Sequence, residues 1–207
     1  MDVPSTGDST VGEWMRRLAE PAGVPGGGAA VGVMLSIAAG LMSMVAAYTE
    51  ADEPAERARA LQRTALRLTD DDATVSGALG AAFRDHGDIR TASLDAARSS
   101  ATLGEHACAA IADLEWLAEH GKPFLIADVA VATASLRGAL AGARANLSYD
   151  LAALRSAGDD DAAIRTAHPA LWDAADRFSE AIDRLDRLAA AIDDRAAPTS
   201  THRPAAG

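Results

Sequence analysis

An uncharged segment near the N-terminus constrains the fold of this chain more than any other feature of its sequence. It covers residues 21–49, and from Val24 it reads VPGGGAAVGVMLSIAAGLMSMVAAYT. By length alone such a segment could cross a membrane. It is rich in Gly, Ala and Ser rather than Leu, Ile and Phe, and no Lys or Arg lies close enough on either side to anchor it. We therefore interpret it as the buried central helix of a helical bundle and predict no membrane span.

Small residues recur at every fourth position of this helix, at Gly32, Ser36 and Gly40. This spacing lets a neighbouring helix approach the backbone closely. Three consecutive glycines precede the helix, and glycines at a helix N-terminus can direct backbone amides at an anion. They can equally form a turn that lets another segment pass close by, and the motif alone does not decide between the two.

The rest of the chain shows helical periodicity, with apolar residues recurring at intervals of three and four. Hydrophobic residues make up 49% of the chain but aromatic residues only 4%, a composition that favours packed helices over strands. We predict an all-α, single-domain antiparallel bundle of about five or six helices over residues 11–195, with mobile tails at 1–10 and 196–207. The predicted helices cover about 13–19, 28–49, 55–79, 89–120, 124–156 (or from 128) and 160–194.

Composition also excludes several functional classes. A net charge of -11 leaves no basic face for phosphates, so we expect no nucleic-acid partner. The single cysteine, Cys108, cannot form an intramolecular disulfide or a multi-cysteine metal site, and it reads as a small core residue rather than a nucleophile. The histidines lack metal-ligand spacing, so no metal is expected. The first ten residues are polar and acidic, unlike a signal peptide, which predicts a cytoplasmic location.

Three segments, in this order, resemble the cyclodeaminase/cyclohydrolase family, which includes the C-terminal domain of formiminotransferase-cyclodeaminase and methenyltetrahydrofolate cyclohydrolases. The first combines PGGG at residues 25–28 with SMVA at 43–46; the second is LTDDDATV at 68–75, similar to L-x-D-x-D-A. The third, ADVAVATASLRGALAGARANLSYDL at 127–151, is similar to S-D-x-G-V-A-A … A-x-x-G-A-x-x-N-V-x-I-N-L. The resemblance implies an all-helical homodimer that binds folate in a cleft, with no cofactor beyond tetrahydrofolate as substrate.

For the reaction, the resemblance implies cyclodeamination of 5-formiminotetrahydrofolate to 5,10-methenyltetrahydrofolate with release of ammonia, or hydrolysis of the methenyl form. A carboxyl group of raised pKa can move the protons that either reaction needs. Asp70 and Asp72 match the family's aspartates and are the candidate catalytic residues. Two positions apart on a helix, they cannot both face one pocket. The same segment could instead be an acidic helix cap.

The candidate substrate-binding residues lie in the first and third segments. Asp128 precedes an uncharged stretch and could cap that helix or orient the ligand, and Asn146 could bond a pterin edge or a neighbouring helix. Arg137 and Arg144 are seven apart and share a helix face, so they could meet a folate carboxylate or belong to a solvated, salt-bridged surface. The full set of candidates is Gly26, Gly27, Gly28, Asp128, Asn146, Arg137 and Arg144.

The chain departs from the family pattern at several positions. Residues 50–54, EADEP, are acidic where family members carry a lysine-rich segment. Ala29 and Ala127 replace serines, Ser76 replaces an aromatic residue and Asp150 replaces an asparagine. These departures support an alternative hypothesis, in which the chain is a non-catalytic or altered-ligand member of the family that acts as a binding or structural dimer.

Overall fold

The computed structural model describes residues 5–21 and 24–196, and it contains helices and no strand within these ranges. The predicted all-α class is therefore confirmed. Residues 1–4 of the first predicted mobile tail and 197–207 of the second lie outside the described residues. The elements are α1 Val11–Leu18, α2 Gly27–Tyr48, α3 Asp52–Asp85, α4 Ile89–Ala109, α5 Ile111–His120, α6 Ile126–Ala153, α7 Asp161–Ala167 and α8 Pro169–Ala196, with 3₁₀ turns at Pro123–Leu125 and Leu154–Ala157.

The uncharged segment forms α2, which lies at the centre of the bundle against α3 and α6. Its small residues let α3 approach the α2 backbone closely, as their spacing predicts. A Cβ added at Gly32 would overlap the Thr69 side chain on α3 and stand 3.2 Å from the carbonyl oxygen of Ala65. By length and apolar composition both α2 and the segment Pro123–Ala157 could cross a membrane, but 61% of the α2 window is buried inside the bundle.

Helices α2 and α6 are antiparallel neighbours. Along their contact Gly27 faces Asn146, Val31 faces Gly142, and Met34 faces Gly138, so the start of α2 meets the end of α6. The amphipathic helix α8 covers α4 and α6 from outside, with Phe178 fully buried against Gly104. Its charged face stays in solvent, as expected for the outer helix of a bundle.

Two of the predicted helices are each divided in two. The helix predicted at 160–194 breaks at His168 into α7 and α8, because Pro169 lacks an N–H and disfavours a helical conformation in the residue before it. The helix predicted at 89–120 breaks at Ala110 into α4 and α5 without a proline or glycine. There Leu114 and Leu117 of α5 are fully buried in the core, which the local sequence does not reveal. The described residues therefore hold eight α-helices instead of five or six.

The single cysteine is half-buried on α4, and its surroundings agree with a packing role. Burial, aided by the negative charge of Glu105, raises the pKa of the Cys108 thiol to about 11. A thiol with this pKa is protonated at neutral pH and is a poor nucleophile.

Candidate functional site

The site is built around the two acidic residues that the structure buries within its described part, Asp72 on α3 and Asp150 on α6. Their exposed fractions are 1% and 8%. Carboxylates are seldom buried this deeply without a cationic partner. No ion pair reaches either of them in residues 24–196, and serine hydroxyl groups donate hydrogen bonds to both.

Asp72 lies where α3 meets the start of α2 and the middle of α4. Ser76 and Ser99 each donate a hydroxyl hydrogen bond to its carboxylate, at 3.2 Å in both cases. A Cβ added at Gly28 would overlap that carboxylate, so only glycine lets the α2 backbone come this close. Burial raises the pKa of Asp72, and the two serine hydroxyls oppose this only in part.

Asp150 reaches the same interior from the opposite helix. It accepts a hydrogen bond of 3.1 Å from the hydroxyl of Ser100, the residue after Ser99 on α4. Burial raises the pKa of Asp150 to about 6, and the negative charge of Asp72 adds to the increase while Ser100 opposes it. Two carboxyl groups with raised pKa values therefore lie beside adjacent serines of one helix.

A cavity of about 470 Å³ opens one turn of α3 beyond Asp72, and Asp72 itself does not line it. Its volume is within the size range of small-molecule sites. Ser76, which donates to Asp72, forms part of its wall, and Arg84 is the basic residue in the wall. The cavity is lined by Pro21, Val24, Gly26, Ser76, Gly77, Gly80 and Arg84.

The N-terminus of α2 contributes backbone amides at this end of the bundle. Gly26 is the N-cap residue and has no capping side chain, so the first amides of the helix have no acceptor within it. The partly exposed side chain of Asn146 lies beside Gly27, with its oxygen 3.6 Å from where a Cβ would stand. The structure thus brings Gly26, Gly27, Gly28, Asn146 and Asp72 together.

Asp70 is separated from this group. Its carboxylate accepts hydrogen bonds from the backbone N–H of Thr6 at 2.9 Å and from the Thr6 hydroxyl at 2.6 Å. It therefore joins the N-terminal segment to another side of α3, as expected for residues two apart on a helix. Of the two candidate catalytic aspartates, the structure places only Asp72 in the buried cluster.

Three further candidates lie away from the cluster. Asp128 is in the first turn of α6, about 33 Å along the helix from Asp150 at 1.5 Å per residue. Arg137 forms an ion pair with Asp186 of α8. These residues were predicted to bind substrate, and neither lines the cavity that includes Ser76.

Arg144, the third, also faces α8, where it donates a 3.1 Å hydrogen bond to Ser179. It lines a different cavity of about 300 Å³ between α6, α7 and α8. Arg137 and Arg144 do share one face of α6, as predicted. This face points towards α8 and away from Asp150.

Several residues of the site were missed by sequence reasoning: Ser76, Arg84, Ser99, Ser100 and Asp150. Only Asp150 carried a clear signal. The buried stripe of α6 has a spacing of three or four, and Asp150 continues it as the one charged member. A lone carboxylate on an otherwise apolar stripe indicates a buried, functional group. The apolar part of that stripe is Ala132, Leu136, Ala139, Ala143 and Leu147.

Chemically, the cluster offers two buried carboxyl groups whose pKa values are raised, that of Asp150 to about 6. Such groups suit general acid and base catalysis, which works best when the pKa lies near the operating pH. Within residues 5–21 and 24–196, no three His, Cys, Asp or Glu side chains are arranged to hold a metal ion.

Known proteins resemble this chain at the level of the family and of the fold. Residues 10–167 match the model of the family described as formiminotransferase-cyclodeaminase. The crystal structure of formiminotetrahydrofolate cyclodeaminase from Thermotoga maritima is similar in fold, with a TM-score of 0.78, and the match covers 90% of this chain and 96% of that one. The two sequences are 19% identical, so this similarity concerns the fold alone. A comparison with curated proteins finds no match.

Proposed function

Because the chain belongs to the formiminotransferase-cyclodeaminase family, we propose that it acts in folate one-carbon metabolism in the cytoplasm. The proposed reaction is cyclodeamination of 5-formiminotetrahydrofolate to 5,10-methenyltetrahydrofolate with release of ammonia. Hydrolysis of the methenyl form is the closely related alternative. The observation that carries the proposal is Asp72, a buried carboxyl group of raised pKa that lies against Gly28 at the start of α2 and is hydrogen-bonded to Ser76 in the wall of an open cavity.

In the proposed reaction Asp72 moves protons at the one-carbon centre. N10 of the folate bonds to the formimino carbon and loses a proton, the formimino nitrogen gains protons, and the carbon–nitrogen bond breaks to release ammonia. An ionised Asp72 can accept the proton from N10, and a protonated Asp72 can donate one to the departing nitrogen. Burial raises the pKa of Asp72 and so favours the protonated form that donation requires.

The cavity walls suggest how folate would lie. The free amides of the α2 N-terminus and the guanidinium of Arg84 can face an anionic group. The amide of Asn146, beside Gly27, can pair with the donor and acceptor atoms of a pterin edge. In this arrangement Arg84, rather than Arg137 or Arg144, is the candidate partner for a folate carboxylate.

The acidic residues 50–54 do not border this cavity. They follow the C-terminal end of α2, about 33 Å along that helix from Gly28. Within one protomer their negative charge therefore leaves the proposed site unaffected. The alternative of a non-catalytic or altered-ligand member predicts that the parent protein neither binds nor converts folate.

The experiment that tests the function follows formation or loss of methenyltetrahydrofolate by absorbance. We expect the parent to convert 5-formiminotetrahydrofolate and the Asp72→Asn variant to lose most of that activity. Asp71→Asn is the matched control, since Asp71 is the exposed neighbour with the same charge. Asp70→Asn tests the competing catalytic candidate. A parent protein that binds no folate derivative would overturn the proposal and favour the alternative.

We also propose that the protein is a homodimer, joined through an apolar surface that we call the α2–α6 face. This face carries exposed large side chains: on α2 Ile37 is 48% and Tyr48 is 57% exposed, and beside them Phe124 is 72% and Val131 is 54% exposed. Tyr48 and Phe124 pack edge to face at 6.3 Å. Helix α2 has no charged residue, in a chain that is 24% charged overall. An exposed apolar patch of this kind is typical of a protein interface.

A second copy on this face would also change which groups Asp128 can contact. If the two copies of α6 run in opposite directions across the interface, the Asp128 end of one copy lies near the Asn146 end of the other. Such an arrangement would let Asp128 contact folate bound to the partner copy.

The molar mass in solution tests the dimer. We expect twice the chain mass for the parent and a monomer for Ile37→Arg, with Val11→Arg as the control because Val11 is an exposed apolar residue on a different helix. A monomeric parent would contradict the proposal. Recovery of the parent only with detergent would favour a membrane span instead.

A further inference from the structure

Two helices that do not follow one another in the chain bring their carboxylates to consecutive residues of a third. Asp72 of α3 accepts from the hydroxyl of Ser99, and Asp150 of α6 accepts from the hydroxyl of Ser100, both on α4. Each carboxylate is buried. Asp72 also lies against Gly28, while the preceding residue, Gly27, lies beside Asn146, which is one turn before Asp150 on α6. The two carboxylates therefore approach the same end of the interior from two helices.

The helices around the pair supply no compensating positive charge. Helix α2 carries no Asp, Glu, Lys, Arg or His. On α4, Arg98 is turned to Asp95 at 2.9 Å, and on α6, Arg144 is turned to Ser179. The neighbouring carboxylate on α3, Asp70, is turned to Thr6, and Arg84 lies at the wall of the cavity rather than on the pair.

Two buried carboxylates without a cation cannot both ionise easily, because each negative charge disfavours the other. An asparagine at position 150 would accept the same hydrogen bond from Ser100 without this repulsion. The sequence nevertheless has aspartate there. A second carboxyl group in this place therefore changes the protonation of the pair and not merely its packing.

We propose that Asp72 and Asp150 form one proton-sharing pair, in which Asp150 acts as a positioning residue that keeps a proton available to Asp72. The burial of both groups and the contact of Asp72 with Gly28 leave the pair away from bulk water. The burial that raises both pKa values, and the charge of Asp72 acting on Asp150, support the same arrangement.

The catalytic part of this inference rests on the proposed function. Release of ammonia requires two protons to reach the formimino nitrogen. One leaves N10 as the N10–carbon bond forms, and the pair supplies the second as the carbon–nitrogen bond breaks. The pair thus begins the cycle with one proton, accepts one from N10 and donates one to the formimino nitrogen. It takes up one from solvent before it donates the second, so it never loses both protons. The cationic methenyl product and neutral ammonia balance the charge.

A titration that needs no activity tests the pair itself. In protein labelled with ¹³C at the aspartate carboxyl carbons, the NMR resonances of Asp72 and Asp150 are assigned with the Asp72→Asn and Asp150→Asn variants. We expect Asp150→Asn to lower the titration midpoint of Asp72 by about one pH unit, as for strongly coupled groups. The reverse substitution should lower the midpoint of Asp150. Asp71→Asn serves as the control and should move neither midpoint.

The activity profile tests the catalytic part. The alkaline limb of kcat/KM against pH should move to lower pH by about one unit in Asp150→Asn, while Asp72→Asn loses activity at every pH. Unchanged titration midpoints would overturn the proton-sharing pair. Altered midpoints with an unmoved activity profile would overturn the positioning role. If no variant or parent converts folate while the midpoints shift, the pair stands and the proposed function fails.

Discussion

The two sides of α6 show how differently the same chain treats its charges. Towards α4 and α3, α6 buries Asp150 beside Asp72 with hydroxyl partners alone. Towards α8, it carries Arg137 and Arg144, whose partners are Asp186 and Ser179. The first side keeps like charges together in the interior, and the second distributes arginines over a solvated surface.

The difference between the two sides of α6 follows from their exposure to water. An exposed ion pair gains little, because water already solvates both charges. A buried carboxylate loses that solvation, so its pKa rises and the group becomes useful for proton transfer. The buried side of α6, which carries Asp150, is therefore the side where we expect proton transfer.

The largest effect should come from Asp72→Asn. Removal of a general acid or base typically lowers the rate by about 10²–10⁴-fold, and we expect a loss of kcat/KM in this range for cyclodeamination. Arg144→Gln on the opposite side of α6 should lower kcat/KM far less. Equal losses of kcat/KM in the two variants would contradict the proposed difference between the two sides of α6.

Asp150→Asn should stabilise the folded protein at neutral and alkaline pH. The pKa of Asp150 is raised from an ordinary 3.8 to about 6, so the folded state holds its proton more tightly than the unfolded state. Parent stability therefore falls as pH rises from about 4 to above 6, by at most about 3 kcal/mol. Urea unfolding should show the variant more stable at pH 8, with the gap closing towards pH 4. A gap that stays constant over this range would argue against a buried ionisable Asp150.

Gly28→Ala should disturb the buried side by steric means. The added methyl group overlaps the Asp72 carboxylate, and overpacking of this kind usually costs about 1–3 kcal/mol. Thermal or urea unfolding would measure the loss, and kcat/KM should fall as Asp72 is displaced. Gly12→Ala is the control, because a Cβ at Gly12 meets nothing within 4 Å. A variant as stable and active as the parent would show that the close approach of α2 to Asp72 is dispensable.

The smallest effect should come from Arg137→Gln. Both members of the Arg137–Asp186 pair are close to half exposed, and such pairs contribute little to stability. The ion pair lowers the pKa of Asp186, so any contribution would be present at neutral pH and lost in acid. We expect a melting temperature close to that of the parent at pH 7, measured by calorimetry. A large decrease would mean that the α8 side of the helix is more strongly coupled than its exposure indicates.

Much of the fold could be predicted because helical periodicity and breakers are local properties. The uncharged residues of α2, the glycines facing α3, and the stop at Gly121 all follow from residues close together in the chain. The division at Pro169 was also encoded locally, since proline restricts the residue before it. The division at Ala110 was not, because it depends on how Leu114 and Leu117 pack into the core.

The candidate site was predicted only in part, for a similar reason. The family resemblance pointed to Asp72, the glycines and Asn146, and the structure brings these together. It also pointed to Asp128, and a shared helix face made Arg137 and Arg144 candidates, but neither signal shows which residues of α6 lie near Asp72. Which face of α6 meets α4 and which meets α8 is a tertiary property, and it is this choice that directs the arginines away from Asp72.

By itself, the sequence determined an all-helical chain with an apolar central helix, an acidic surface and a family-like order of motifs. Only the tertiary structure decided that Asp70 binds the N-terminal segment, that Asp72 is buried against Gly28, and that Asp150 joins it. The physical reason is that periodicity fixes which residues share a face of one helix, whereas burial and pKa depend on the helices that cover that face.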